Sequence, residues 1–288
     1  METTFEKYLQ QMRHSKTTVR SYLYTYSIFL SDRPNASALK YKDILEYLNE
    51  KQKAYNSPNI KTQLLPGIKK YYDYLIEIGQ RNDHPCRTLM VKSGKGRDII
   101  LHDLFSSKEL ELLLDREERY ADLKLRNQVV VSLLIYQGLT VSEISNLKLS
   151  HVDLDAATIF VKESPKIARR HLEIMPKQYR FLDRYINESR KELIRDKTEA
   201  LVIGKLGTAL TADDIHYLVS TYKMLFPDRN LTPATIRQSV ISNWMNEKKL
   251  PLEQVQLLAG HRWISSTAKY RQHNMEEQRE LMNKWFPV

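Results

Sequence analysis

Only one cysteine, Cys86, occurs in 288 residues. It has no partner for an internal disulfide or a thiolate zinc site, which suits a reducing compartment and excludes the disulfide-stapled and zinc-finger classes. The thiol is expected to be buried and inert. No run of about 18 apolar residues is present to span a bilayer, and the opening Met1-Glu2-Thr3-Thr4-Phe5-Glu6 lacks the basic-then-apolar form of a secretory signal. A cytoplasmic protein with no membrane contact is expected. The glycine-broken run Ser93-Gly94-Lys95-Gly96-Arg97-Asp98 lacks the Gly-Lys-Ser/Thr ending and the preceding strand of a nucleotide loop. It reads instead as a basic tether crossing a sugar-phosphate backbone.

Positive charge is abundant by contrast. The 45 Lys and Arg exceed the 35 Asp and Glu, giving a net charge of +10 and a pI near 9.4. A phosphate polymer is the commonest partner that offsets such self-repulsion. With 42% hydrophobic and 28% charged residues, the composition is that of a soluble globular protein. The length allows one large domain or two ordinary ones, each with its own core.

Residues 4–30 read as a helix pair, with Phe5, Tyr8, Leu9 and Met12 on one face and Val19, Leu23, Tyr26 and Leu30 resuming it after Ser15-Lys16. Lys16, Thr17, Thr18 and Arg20 crowd the start of the second helix, where hydroxyls and cations can seat a backbone phosphate or simply cap the helix. A third helix is expected over residues 43–51. A fourth runs from Pro58 through Ile60, Leu64, Ile68, Tyr71, Tyr72 and Leu75 to Gly79, with Lys61, Lys69 and Lys70 near its polar side. Pro66 within it should bend or split it.

Beyond the tether, Ser106-x-x-Glu109 forms a capping box ahead of Leu110, Leu112 and Leu113. Residues 125–137 are apolar nearly all round, as a core helix must be. Strands are expected over 158–162 and 170–174 about the turn Ser164-Pro165-Lys166. A helix over 176–191, a brief strand-like run Leu201-Val202-Ile203-Gly204 and a helix from Thr211 complete the scaffold.

The chemistry-bearing residues lie in two stretches. One is Tyr136-Gln137-Gly138-Leu139-Thr140-Val141-Ser142-Glu143-Ile144. The other begins at Leu231-Thr232-Pro233-Ala234-Thr235-Ile236-Arg237 and continues through Leu257-Leu258-Ala259-Gly260-His261 to Thr267-Ala268-Lys269-Tyr270. Thr232 caps a Pro-started helix bearing Arg237. An arginine, a histidine and a phenol can together grip and attack a phosphate. The order and spacing resemble the tyrosine recombinases of the phage-integrase family over nearly the whole chain.

That resemblance implies a mainly α protein with a small β-sheet, a two-domain C-shaped clamp on double-stranded DNA. A helical core-binding domain would span 1–88, a basic linker 89–105 and a catalytic-like domain 106–288. It implies DNA contacts from Lys16, Thr17, Arg20, Lys61, Lys69, Lys95, Arg97 and Arg237. The retained catalytic positions are Arg237, His261, Tyr270 and a hairpin lysine. The lysine is Lys166, with Lys162 the other candidate and a solvated turn lysine the plain alternative, since the family's Gly-Lys-Gly turn is absent. No cofactor or metal is implied.

Two family residues are missing. Thr140 stands where the family carries its first arginine, and with Glu143 it spells a capping box. Ala234 replaces the histidine of His-x-x-Arg, and Gln238 a second histidine. Removing one positioned donor from a charged transition state typically costs about 3–4 kcal/mol, or 10²–10³ in rate. Losing two should cost roughly 10⁴ or more, whereas backbone contacts sustain DNA affinity. The expectation is therefore a sequence-specific DNA-binding protein without recombinase activity, a transcriptional repressor of a prophage or mobile element.

Two alternatives remain. One is an active site-specific recombinase in which Lys162, Arg169, Arg170 or a neighbour replaces the missing groups. The other is an accessory factor that occupies a recombinase's interfaces. The apolar residues of 275–286, which in the family pack onto a neighbouring protomer, suggest self-association or packing on their own domain.

Overall fold

A computed structural model of the chain describes residues 4–57, 59–91, 104–118, 120–195 and 197–271. The chain divides into two units, Met1–Asp98 and Ile99–Val288, and each builds its own hydrophobic core. Lys95, Arg97, most of the expected linker and the segment 275–286 lie outside the described residues.

The first unit consists of α1 (Phe5–Gln11), α2 (Lys16–Asp32), α3 (Tyr41–Tyr55) and α4 (Ile60–Glu77). Ser15 starts α2 by accepting the Thr18 N–H at 3.2 Å, which leaves Lys16, Thr17 and Arg20 exposed on its first turns. Phe5, Tyr8 and Leu9 are buried as their spacing requires, but Met12 falls just past the end of α1 and is 46% exposed. The core interleaves aliphatic side chains with aromatic rings, with Phe5 on Tyr26 at 4.7 Å between centroids and Phe29 on Tyr47 at 5.1 Å. Such rings bury much area on few rotatable bonds.

Two local expectations yield to packing. The third helix starts at Tyr41 rather than at residue 43, because the Asp43 carboxylate accepts the Lys40 N–H at 2.8 Å and extends the first turn. Pro66 does not split α4, which runs unbroken from Ile60 to Glu77. Both α2 and α3 pack along α4, so tertiary contacts outweigh the one missing amide. Gly67 permits the approach of α2, since a Cβ there would come within 2.7 Å of the Thr25 Cβ. Cys86 is fully buried, and burial pushes its thiol up to about 12, an inert state.

The second unit runs α5 (Ser107–Glu111), α6 (Ala121–Tyr136), α7 (Val141–Asn146), β1 (Val152–Asp153), β2 (Thr158–Val161) and β3 (Arg170–Glu173). It continues with α8 (Pro176–Arg184), a π-helical segment Tyr185–Ser189, α9 (Arg190–Leu193), α10 (Ala212–Ser220), α11 (Pro233–Asn246), α12 (Leu252–Ala259) and α13 (Ile264–Ala268). The molecule is thus mainly helical with one small antiparallel sheet, of order β1-β2-β3.

The expected capping box forms at Ser106–Glu109, and the helix expected from Thr211 starts in another, closed by Asp214. Val129, Val130, Val131, Leu133 and Leu134 of α6 are all buried, so its second half is enclosed on every side, while Ala121, Asp122 and Lys124 at its start are exposed. The expected strand pair is β2–β3, in register Ile159↔Leu172 and Val161↔Arg170. A third strand, two residues long, joins at Val152↔Ile159. The run Leu201-Val202-Ile203-Gly204 is not a strand. It makes an isolated bridge, Ile203↔Ala209, and scattered backbone hydrogen bonds such as Leu201 N–H to Leu147 O, and its apolar residues are buried. No helix among the described residues is long and apolar enough to cross a membrane.

Candidate functional site

The site is assembled around the carboxyl end of α12. Gly260 terminates that helix in the left-handed region, at φ 70°. The Gly260 N–H then donates to Leu257 O and the His261 N–H to Gln256 O, each at 3.0 Å. Helix ends carry unpaired carbonyls, and here two arginines from distant segments take them. Arg170 Nε donates to Leu258 O at 2.8 Å, and Arg237 Nη2 donates to Ala259 O at 2.7 Å.

Arg237 projects from α11, whose start is fixed by Thr232 at the cap and Pro233 in the first turn, as the sequence indicates. Its Nη1 donates to Gly138 O, behind the left-handed Gly138 at φ 58°. The guanidinium is thus held by carbonyls on both sides and its side chain is only 11% exposed. Ala234, one turn earlier, is exposed and offers nothing but a methyl group.

Thr140 caps α7. Its Oγ accepts the Glu143 N–H at 3.2 Å, while its own N–H and hydroxyl donate to Glu143 Oε2 at 2.8 and 2.9 Å. The hydroxyl is therefore closed into a local ring. Glu143 in turn accepts from Arg170 Nη1 at 2.6 Å on Oε1 and stands 4.0 Å from Arg237 Nη1 on Oε2. Burial alone would raise the Glu143 carboxyl, but the Arg170 hydrogen bond and charge, with Thr140 and Arg237, hold it below its ordinary value.

His261 and Tyr270 lie side by side, their rings roughly parallel at 6.1 Å between centroids. His261 Nδ1 shares a 2.8 Å hydrogen bond with the buried Thr267 hydroxyl. Burial, then the charges of Arg237 and Arg170, push His261 down to about 4, so the ring is neutral at physiological pH. Burial raises the Tyr270 phenol, against a smaller opposing pull from Arg237.

The β2–β3 hairpin is fastened to the same turn. Ile167 bridges His261, the Ala168 N–H donates to Gly260 O at 2.9 Å, and Arg262 Nη2 donates to Ser164 O at 2.9 Å. Lys166 is therefore exposed on a turn anchored beside His261, whereas Lys162 and Arg169 are exposed elsewhere on the hairpin. In the first unit Lys61 Nζ is bonded to Asn49 Oδ1 at 2.5 Å, and Lys69 Nζ to Arg87 O at 2.8 Å. Lys16, Thr17 and Arg20 are the exposed members of that expected set.

The structure thus brings Arg237, His261, Tyr270 and the Lys166 turn together around α12. It adds Arg170 and Glu143, whose central place the sequence did not reveal. One signal was available: Arg170 has the same strand parity as buried Leu172, so a charged residue occupies an inward position of β3.

Residues 104–277 match the model of the phage integrase family. The tyrosine recombinase XerC of Anoxybacillus flavithermus is 27% identical over 278 residues, covering 92% of this chain and 90% of that protein. The tyrosine recombinase XerD of Lacticaseibacillus casei is 26% identical, covering 89% and 87%. Among solved structures, XerH recombinase bound to its palindromic difH substrate aligns with a TM-score of 0.71 at 17% identity, over 93% of this chain and 80% of that one. A lambda integrase dimer bound to a COC′ core site aligns at 0.68 and 15% identity, over 93% of each chain.

Proposed function

Because the chain belongs to the phage integrase family, we propose that it binds duplex DNA sequence-specifically through that fold, cleaves it little or not at all, and acts as a transcriptional repressor in a prophage or related mobile element. The observation that carries this reading is the closure of Thr140 into a capping ring with Glu143, at the position where the family carries a phosphate-gripping arginine. Exposed Ala234 adds no donor.

The protonation states of the remaining groups disfavour cutting. Tyr270 must lose a proton that burial makes harder to remove, and neutral His261 contributes no cation to a phosphorane. Binding is far less affected. The net charge of +10, the exposed Lys16, Thr17 and Arg20 and the structural likeness to recombinases captured on their DNA sites all favour a grip on the duplex backbone.

The test uses nicked suicide substrates built on the protein's own site, found by genome-wide mapping of bound DNA. We expect bound sites near promoters and no covalent adduct. A Tyr270-dependent adduct formed at useful rates overturns the loss of cleavage, and paired arms at an attachment site overturn the repressor role.

A second reading, an active recombinase with an altered centre, is favoured by one observation: Arg170 places a second guanidinium on Glu143. Joint Thr140→Arg and Ala234→His substitution separates the two. Gain of cleavage marks a lapsed enzyme, while loss or no change marks a different working arrangement.

A further inference from the structure

Arg170, Arg237 and Glu143 form a buried cluster whose charges do not balance. Their side chains are 5%, 11% and 6% exposed, and among the described residues two guanidiniums share one carboxylate. One positive charge is left over where water cannot solvate it, and interiors ordinarily pair such charges. The hydrogen bonds point the same way. Arg170 Nε is satisfied by Leu258 O and Nη1 by Glu143, but Nη2 is buried without a partner among the described residues. An orphaned guanidinium nitrogen is destabilising unless a ligand compensates it.

The cluster is also built to hold Arg170 against the turn that carries His261. At Gly260 a Cβ would fall 2.6 Å from Arg170 Nη1 and 3.0 Å from its Cζ. Only glycine leaves room for the guanidinium, and Ala168 and Ile167, just ahead of Arg170 in the chain, pin the same turn. Arg170 therefore stands behind Gly260–His261, bonded to the helix end at Leu258 O, and is linked to Arg237 through Glu143.

We infer that Arg170 is a positioning residue for a phosphodiester held at Arg237 and His261, supplying from within the second positive charge that Thr140 lacks. The inference rests on the DNA-binding reading above. Arg170 acts through its fixed charge and through the donors it aims, because it does not itself reach solvent. Glu143 sets the spacing of the two guanidiniums, and the surplus charge is neutralised when the phosphate arrives.

The experiment measures binding of a mixed-sequence duplex across a salt series for the full chain, Arg170→Gln, Arg170→Lys and Arg237→Gln. Each phosphate neutralised contributes roughly 0.9 to the slope of log affinity against log salt. Arg170→Gln should lower that slope by most of one such unit, as Arg237→Gln should, while Arg170→Lys should keep it. If Arg170→Gln lowers thermal stability but leaves the slope unchanged, the residue is merely structural and the inference fails. If the unaltered protein shows no salt-dependent duplex binding at all, the DNA-binding reading fails instead.

Should Arg170→Gln not fold, the unaltered protein still decides. Titration with inorganic phosphate should shift the Arg170 guanidinium resonances together with those of Arg237. Saturation of Arg237 without any response at Arg170 overturns the inference.

Discussion

Substituting Glu143→Gln removes the one carboxylate between two buried guanidiniums and keeps the side chain's shape. Oε1 accepts from Arg170 at 2.6 Å, and Oε2 accepts the Thr140 N–H and hydroxyl at 2.8 and 2.9 Å. An amide oxygen can serve Thr140, but the amide nitrogen then faces Arg170 Nη1, donor against donor. Removing one partner of a buried pair typically costs about 3–5 kcal/mol, because the other charge is stranded. At roughly 2–4 °C per kcal/mol for a unit of this size, the melting point should fall by about 10 °C.

Tryptophan fluorescence isolates the effect, since Trp244, Trp263 and Trp285 all belong to the second unit. The pH dependence gives an internal check. The Glu143 carboxyl is depressed from its ordinary 4.5, so its contribution is complete above that value and is lost as pH falls through the lower folded-state value. The gap between unaltered and substituted protein should therefore be constant near neutrality and shrink in acid. A melting-point change under about 3 °C at pH 7 would refute the assignment of Glu143 as the counter-charge of Arg170 and Arg237.

Three further outcomes are expected. His261 is depressed from 6.5 to about 4, so the unfolded chain takes up its proton first and stability should fall as pH drops from about 6.5 toward 4. The full shift corresponds to about 3 kcal/mol, discounted to about 1–2 for a ring partly open to solvent. Urea melts of the unaltered protein and His261→Gln at pH 7 and 4.5 measure this, and equal pH dependence in both removes the argument. Gly260→Ala forces a side chain into φ 70° and to 2.6 Å from Arg170 Nη1, and should destabilise the second unit by roughly 2–4 kcal/mol in the same fluorescence melt. Lys16→Ala with Arg20→Ala should weaken duplex binding uniformly across sequences and reduce the salt slope by about 2, and an unchanged slope in filter binding removes these residues from the DNA interface.

The helices that could be read from sequence are those with local causes. Ser106–Glu109, Thr140–Glu143 and Thr211–Asp214 each pair a hydroxyl with a carboxylate three residues on, and each capping box forms. The apolar run of α6 reads as a core helix and is enclosed by core. Met12 and Pro66 misled for opposite reasons. The periodicity that includes Met12 continues past the point where α1 ends, whereas the proline penalty in α4 is overridden by packing from both sides. Leu201 to Ile203 have strand-like composition, but their apolar side chains are buried and, among the described residues, they pair with no named strand.

The order of Thr140, Ala234, Arg237, His261 and Tyr270 along the chain was enough to place the family and to mark two missing groups, because residue type and spacing are properties of the sequence alone. It could not show that Arg170, 88 residues from Leu258, and Arg237, 22 residues from Ala259, converge on one helix end, or that Arg237 also reaches Gly138, 99 residues away. Hydrogen bonds across such separations exist only after the chain has collapsed, and no local pattern encodes which carbonyl a guanidinium will find. Tertiary packing therefore decided that two arginines share Glu143, that a buried Arg170 nitrogen finds no partner among the described residues, and that His261 is held neutral beside Tyr270.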